Sequence, residues 1–397
     1  MSFRGKILYG LFVGLFTIVV VELAAIYYLT EILNKSTDKK FRFSSYLIYE
    51  HVPNFREGDG EKDWIIFNSQ GFRREEDVSK DKPEDVFRAF LLGGSAAHGI
   101  SSAAPYPIEH VYMDETIDAH LERMLEVEFP DKKIEIINVA VTGYKVFQHT
   151  QYLLSELLDY DPDLVIFMDG INDHYRHNPK LNYYKDNKYQ FWKSRLQEPS
   201  LGGMFDYLAN FMADYSTLFR GYVSWNLQRD AIKRDRAPER QYLVDSDQDM
   251  IVGYDKVSPR EYLRSIQANL DLLSRHGIEA IVSLQPSLNQ RDKALLSEAE
   301  LSFRREVKID PLHVLYPHVL RDLQQLTREN NVDFVNLVPV FNLEDYAGTQ
   351  LFIDYCHLNS AGGEVIAQSL LPYAKPHLSR FFMPALLETA VPPNVNE

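Results

Sequence analysis

Short apolar runs alternate with longer amphipathic stretches along most of the chain. The short runs have the length of buried strands, and they predict strands at 86–92, 134–141, 164–168, 278–284 and 332–338. The stretches between them repeat apolar residues every three or four positions, which predicts helices at 114–129, 146–160, 259–276 and 360–378. Strands that alternate with helices predict an α/β fold, in which helices cover both faces of a parallel sheet.

The N-terminus carries the longest apolar run of the sequence. Residues 7–29 hold one charged residue, Glu22, and a helix of that length crosses the roughly 30 Å hydrocarbon core of a bilayer. Because the run is long and no small-x-small cleavage site follows it, we expect an uncleaved transmembrane anchor rather than a signal peptide. Basic residues flank both ends of the run, so their distribution leaves its orientation open.

The alternation divides the chain into segments of different character. A polar connector, 34–85, leads into the main domain, 86–380, and a tail, 381–397, follows it. Two segments of the main domain break the alternation: 174–258 is rich in aromatic residues, and 287–330 is helical and charged. Each begins just after the carboxyl end of a predicted strand, the edge at which a parallel sheet binds its ligands. We therefore predict two insertions that form a lid or a substrate wall, with a small separate aromatic core as the alternative for the first.

Composition excludes some partners and constrains the redox chemistry. With 45% hydrophobic and 25% charged residues over 397 positions, the chain has the composition of a globular protein. Its formal net charge of −15 argues against a nucleic-acid partner, because such a partner needs a cationic surface. The single cysteine, Cys356, excludes an intramolecular disulfide.

Four short motifs follow the predicted strands or precede the last helix. Their central residues are, in chain order, Ser95, Gly143, Asn172 and His357. A serine hydroxyl is a good nucleophile only when a positioned base takes its proton. His357 is the predicted base, and Asp354 is predicted to hold the imidazole tautomer and to stabilise the imidazolium. Ser95, His357 and Asp354 thus form a candidate catalytic triad.

The same motifs supply hydrogen-bond donors for a developing oxyanion. The candidates are the backbone N–H of Ser95, the backbone N–H of Gly143 and the side-chain amide of Asn172. Loss of one such donor typically lowers turnover on the order of 10²–10³-fold. Gly93 and Gly94 allow a tight turn ahead of the serine and a close approach of backbone to substrate.

The order of these motifs resembles the SGNH hydrolase family, also called GDSL-type esterases. The family's four blocks supply a serine, a glycine, an asparagine and a histidine in the order found here, within 86–173 and 332–378. The first block departs, because Gly94 stands where the family usually has aspartate. Residues 68–73 are similar to an Asn-x-x-Gly-Phe-Arg segment of membrane-anchored bacterial members. The resemblance implies a three-layer α/β/α sandwich with a flavodoxin-like, five-stranded parallel sheet and an ester-cleaving site without metal or cofactor.

Other residues offer weaker alternatives for the same roles. The segment 310–313 repeats the Asp-x-x-His spacing, but it lies in a helical insertion ahead of the fifth strand, so His357 is preferred. His174 and His177 lack a clear third ligand for a metal, and we interpret them as loop residues. Cys356 is interpreted as a packing residue rather than as the nucleophile.

Together these features predict a membrane-anchored serine esterase that needs no cofactor. The expected substrate is a small ester or an acylated glycan or lipid, and O-acetyl groups on glycans are favoured because aromatic faces stack on sugar rings. An O-acyltransferase that uses the same triad is one alternative, and a catalytically idle scaffold that binds glycan is another. We expect the catalytic domain to be extracytoplasmic or periplasmic.

Overall fold

The computed structural model describes residues 3–27, 40–44, 46–101, 108–174, 212, 216, 258–304 and 311–383. The chain divides into two compact units. One consists of Met1–Lys39 and Leu181–Asp245, and the other consists of Lys40–Lys180 and Ser246–Glu397. All of the predicted strands fall in the second unit.

The first unit begins with helix α1, Phe3–Tyr27. Its side chains Phe12, Leu15 and Ile18 are exposed, and Glu22 accepts a hydrogen bond from the Ser216 hydroxyl at 2.8 Å. The predicted transmembrane anchor, 7–29, falls on this helix and on two positions that lie outside the described residues. Within the described part of the chain, no helix has the length and the apolar composition that a membrane crossing requires.

The described part of the predicted connector, 34–85, opens the second unit with two small sheets. Each sheet is an antiparallel pair of strands: β1, Phe41–Ser44, with β2, Ile48–His51, and β3, Arg56–Gly58, with β4, Asp63–Ile66. The segment that follows β4 turns at Gly71, whose φ is +84°, and Asn68 Oδ1 accepts the N–H of Phe72 at 2.9 Å. This turn buries Phe72 against the rings of Phe90 and Tyr160, so the segment packs on the main sheet.

A five-stranded sheet in which every neighbouring pair is parallel forms the centre of the second unit. Its strands are β5, Val86–Gly93; β6, Lys133–Asn138; β7, Leu164–Asp169; β8, Glu279–Leu284; and β9, Asp333–Asn336. They lie in the order β6-β5-β7-β8-β9. Every residue of β5 and β7 is buried, as expected for strands that are covered on both faces. The predicted five-stranded parallel sheet is confirmed.

Helices cover both faces of this sheet. They are α2, Ser95–His98; α3, Ile117–Glu128; α4, Val146–Ser155; α5, Ile171–His174; α6, Ser258–Arg275; α7, Glu298–Phe303; α8, Pro311–Glu329; and α9, Ser360–Phe382. On one face, Leu121 of α3 and Leu370 of α9 share a core cluster with Leu91 of β5. On the other face, the ring of His149 in α4 lies 6.2 Å from that of Phe167 in β7, and α6 packs beside α4.

The segment 287–330 differs from its prediction as an insertion. Helix α8 packs against β9 and α6, and it buries Leu315, Val319 and Leu323 at four-residue spacing. It is therefore the crossover helix between β8 and β9, which continues the regular alternation. The segment contains many charged residues, most of them ahead of α8, and these gave it the character of an insertion in the sequence.

The other predicted insertion, 174–258, lies outside the described residues except at positions 174, 212, 216 and 258. The predicted tail, 381–397, lies outside them beyond position 383.

Leu121 tests the packing of α3 on the sheet. Its side chain is fully buried, so Leu121→Ala leaves a cavity and is expected to lower the free energy of unfolding by about 2–5 kcal/mol. Urea denaturation followed by circular dichroism measures the loss. Val127→Ala, at an exposed position of the same helix, is the matched control and is expected to change that free energy by less than about 0.5 kcal/mol. Equal losses in both variants would contradict the assignment of the buried face.

Candidate active site

The predicted site residues gather at the carboxyl edge of the sheet. Ser95 follows the end of β5, and Asn172 follows the end of its neighbour β7. The chain reaches β6 and β7 on opposite sides of β5, so the strand order reverses at this point. Such a reversal opens a crevice outside the strand ends in which α/β proteins bind their ligands.

Ser95, His357 and Asp354 form a continuous chain of hydrogen bonds. His357 Nε2 lies 2.6 Å from Ser95 Oγ, and His357 Nδ1 lies 2.6 Å from Asp354 Oδ2. Because a carboxylate only accepts, Nδ1 carries a hydrogen, so in the neutral imidazole Nε2 is the nitrogen that can take the proton of the serine hydroxyl. The three side chains thus have the arrangement that turns a serine hydroxyl into a nucleophile.

Asp354 is held by its own loop as well as by the imidazole. Its Oδ1 accepts the backbone N–H groups of Cys356 and His357, both at 2.8 Å. Burial raises the pKa of Asp354, but the hydrogen bond from His357, the charge of His357 and these two amides outweigh burial and hold the pKa below its ordinary value. The carboxylate is therefore ionised and fixed in direction where the imidazolium would form.

The surroundings of His357 favour its protonated form. Burial lowers the pKa of His357, but Cys356, with Sγ 3.7 Å from Nε2, and the Asp354 carboxylate outweigh burial and raise the pKa to about 10. Cys356 itself is buried beside the ring, as predicted for a packing residue, and it also acts on the charge of the base. The basicity of His357 is therefore set by two neighbours in its own loop.

Two buried side chains hold the turn that carries Ser95. Arg73 Nη1 donates to the carbonyl of Gly99 at 2.9 Å and lies 3.1 Å from His98 Nδ1, and Asn138 Nδ2 donates to the carbonyl of Ala97 at 3.0 Å. Burial lowers the pKa of His98 well below its ordinary value, and the charge of Arg73 lowers it further, so the histidine in this clamp is neutral. In the sequence, Arg73 is marked only as the last residue of the Asn-x-x-Gly-Phe-Arg segment. No sequence pattern indicates that Asn138 holds the serine turn.

Asn172 lies against the residue that precedes the serine. Its Nδ2 donates to the carbonyl of Tyr144 at 2.9 Å, which leaves the second hydrogen of the same amide for another acceptor. A Cβ built on Gly94 would overlap Asn172 Nδ2. The family that the sequence resembles usually has aspartate at position 94. Glycine at this position leaves room for the asparagine amide.

Gly143 and Gly170 shape the two loops on either side. Gly143 has φ +80°, and a Cβ there would lie 2.9 Å from the hydroxyl of Tyr49, which donates to the carbonyl of Thr142 at 2.7 Å. Gly170 has φ +133°, and a Cβ there would lie 3.0 Å from the hydroxyl of Tyr316. Both positions need glycine for backbone conformation and for space.

The alternative residues have other surroundings. Residues 177 and 310 lie outside the described part of the chain, and so do the surroundings of the His313 side chain. His174 is buried in α5. The potential ligand atoms of Asp354, Cys356 and His357 lie within 4.8 Å of one another, and they form the one group of three such residues within the described ranges. Both imidazole nitrogens already face Asp354 and Ser95. The absence of a metal in the reaction stays a prediction.

Comparisons with known proteins return matches in fold. No protein-family model and no curated protein matches the chain. An acetyl xylan esterase of known structure is 12% identical with a TM-score of 0.40, and the match covers 72% of this chain and 99% of that one. An α/β hydrolase from the metagenome of Lake Arreo, Spain, is 15% identical with a TM-score of 0.41, over 73% and 95% of the two chains. An acetylxylan esterase from Geobacillus stearothermophilus is 14% identical with a TM-score of 0.39, over 73% and 95%.

The raised pKa of His357 predicts how the reaction of Ser95 with a fluorophosphonate should depend on pH. A general base has to be neutral, and a histidine with a raised pKa becomes neutral only at higher pH. The rate at which a fluorophosphonate labels Ser95 is therefore expected to rise with pH along a limb that lies above 6.5, the ordinary histidine pKa. Cys356→Ala removes one cause of the raised pKa and is expected to move the limb to lower pH. A limb that keeps its position in this variant would contradict the role of the sulfur.

Gly94→Ala tests the contact between the serine turn and Asn172. The added methyl group has to displace the asparagine amide, so labelling of Ser95 is expected to slow by up to the 10²–10³-fold order that loss of one oxyanion donor costs. Time-resolved intact-mass analysis measures the rate. Gly363→Ala is the matched control, because a Cβ there would meet its nearest neighbour at 3.4 Å, and it is expected to label at the wild-type rate. Equal rates in the two variants would exclude Asn172 from the reaction.

Proposed function

We propose that the chain is a serine hydrolase that cleaves carboxylic esters through Ser95, His357 and Asp354. The observation that carries the proposal is the unbroken line of hydrogen bonds from Ser95 Oγ through both imidazole nitrogens to Asp354 Oδ2, with 2.6 Å at each step. A serine–histidine hydrogen bond that serves only packing does not require a buried carboxylate on the other imidazole nitrogen. The location of this line at the switch point of a parallel sheet gives the substrate a crevice.

The reaction expected from these contacts has two halves. In the first, Ser95 Oγ bonds to the ester carbonyl carbon while His357 Nε2 takes the hydroxyl proton, and the imidazolium then gives that proton to the departing alcohol. In the second, water gives a proton to Nε2 and attacks the acyl group, and the acid leaves as Ser95 regains its hydrogen. Asp354 stabilises the imidazolium in both halves without taking its proton.

The oxyanion is assigned to three donors next to the serine. These are the N–H of Ser95, the N–H of Gly143 and the second hydrogen of Asn172 Nδ2. The support is the position of Asn172 beside Gly94 and the loop conformation of Gly143. Donors that are fixed before the reaction stabilise the charge that forms in the transition state without reorganisation.

The proposed substrates are O-acyl groups on glycans, with acetyl esters first. This choice rests on the aromatic residues of 174–258, which lie outside the described structure, and on their capacity to stack on sugar rings. Transfer of the acyl group to a sugar hydroxyl uses the same first half-reaction and is distinguished by its product. Attachment to a membrane through 7–29 and an extracytoplasmic location stay predictions.

Covalent labelling tests the mechanism without knowledge of the natural substrate. The full-length wild-type chain is expected to gain one fluorophosphonate adduct by intact mass, and Ser95→Ala is expected to gain none, because no other described serine has this imidazole–carboxylate pair. Ser101→Ala is the matched control, since Ser101 Oγ lies 3.0 Å from His110 Nδ1 and its loss should leave the adduct intact.

The same samples then decide between the candidate functions. Release of acetate from an acetylated xylooligosaccharide by the wild type indicates hydrolysis, and acetylation of an added acceptor sugar indicates transfer. An unlabelled wild type would remove the mechanism and leave the idle glycan-binding scaffold as the better hypothesis.

A further inference from the structure

The loop that carries Asp354 and His357 does not directly follow a strand of the sheet. Ser95 and Asn172 come directly after strands, but β9 ends at Asn336, and irregular chain with short 3-10 turns follows until the loop. The loop closes on itself through the N–H of Ile353, which donates to the carbonyl of His357 at 2.9 Å. Its place relative to Ser95 therefore depends on contacts outside the sheet. One is the N–H of Leu288, which donates to the carbonyl of Tyr355 at 2.9 Å, and the others hold the residues before the loop.

Those residues are held by one buried carboxylate. Glu300 of α7 is fully buried, and its Oε1 accepts the backbone N–H of Leu351 at 2.9 Å and that of Phe352 at 3.1 Å. Phe352 forms an antiparallel bridge with Leu358, on the other side of the loop. One side-chain oxygen thus binds two successive backbone N–H groups at the start of the loop, the second of them two positions before Asp354.

Glu300 is in turn fixed by a fully buried arginine. Arg291 Nη1 donates to Glu300 Oε2 at 2.6 Å, and both side chains are 0% exposed. The remaining N–H groups of Arg291 donate to the carbonyls of Phe341, Thr349 and Tyr346, at 3.2, 2.9 and 2.6 Å. A buried ion pair costs several kcal/mol of desolvation unless further hydrogen bonds satisfy both groups, and here they do.

We infer that Glu300 and Arg291 are positioning residues for the loop that carries Asp354 and His357. Through the N–H groups of Leu351 and Phe352, they keep His357 Nε2 within hydrogen-bond distance of Ser95 Oγ. The inference rests on the proposed function and adds to it a determinant of rate that touches neither substrate nor reacting atoms. Misplacement of a catalytic group by about 1 Å costs on the order of 10²-fold in rate. A satisfied buried pair has few alternative geometries, so it keeps the loop within that tolerance.

Glu300→Gln in the full-length chain tests this role. The amide keeps the size of the side chain but has one acceptor oxygen where the carboxylate has two, so it cannot accept from Arg291 and from the loop N–H groups at the same time. Labelling of Ser95 by a fluorophosphonate is expected to slow about 10- to 100-fold, with one adduct still formed at completion. The downfield proton signal of His357 Nδ1–H, which reports the 2.6 Å contact with Asp354, is expected to shift or broaden.

Glu135→Gln is the matched control. Glu135 Oε2 accepts from Nε of buried Arg88 at 2.7 Å, and Arg88 also donates to the carbonyls of Ser79 and Tyr160. This variant likewise removes the carboxylate partner of a buried arginine, here Arg88 on β5, at a site away from the loop. It is expected to lower the urea midpoint while the labelling rate and the Nδ1–H signal stay at wild-type values.

The outcomes separate a positioning role from a structural one. A lower urea midpoint in Glu300→Gln with wild-type labelling and an unchanged signal would overturn the inference. If Glu300→Gln does not fold, Arg291→Lys, which keeps the charge and loses the contacts to the three carbonyls, is expected to slow labelling and shift the signal. If the wild type takes no label, the proposed function has failed, and the Nδ1–H signal alone still tests the placement of the loop.

Discussion

Parallel pairing of β5 with a neighbour on each side is the constraint on which the rest of the structure depends. The strand is buried on both faces and bonded on both edges, so its end is fixed in three dimensions. Ser95 follows that end by two positions, and the loops after β6 and β7 meet it from either side. The crevice, the turn of the serine and the place of the asparagine amide all depend on the position of this one strand.

Three buried arginines fix backbone segments that do not take part in the hydrogen bonding of the main sheet. Arg73, Arg88 and Arg291 are nearly inaccessible, and each donates to two or more backbone carbonyls outside the five-stranded sheet. A guanidinium has five N–H donors in one plane, so it satisfies several carbonyls that would otherwise lie buried without a partner. In this fold, each strand fixes the residues directly after its end, and the arginines fix the segments between strands.

The sequence predicted the parts that depend on periodicity and motif order. The five strands and the grouping of Ser95, Asn172, Asp354 and His357 could be predicted because an apolar run and a short motif are local signals. The roles of Asn138, Arg291 and Glu300 could not, because each of them also bonds to backbone groups tens of positions away, and such contacts leave no pattern in the chain. The place of helix α8 as a crossover helix could not be predicted for a related reason, since its contacts with β9 and α6 join distant parts of the chain.

The distance along the chain between nucleophile and base has a consequence for biosynthesis. Ser95 and His357 are 262 positions apart, so a growing polypeptide presents the serine long before the histidine exists. At roughly 5–20 residues per second, that interval is about 13–50 s on the ribosome. During it the serine is an ordinary alcohol, and under the proposed mechanism it becomes reactive only when the loop that carries His357 docks beside it. A nascent or prematurely terminated product is therefore chemically silent, and activation coincides with completion of the fold.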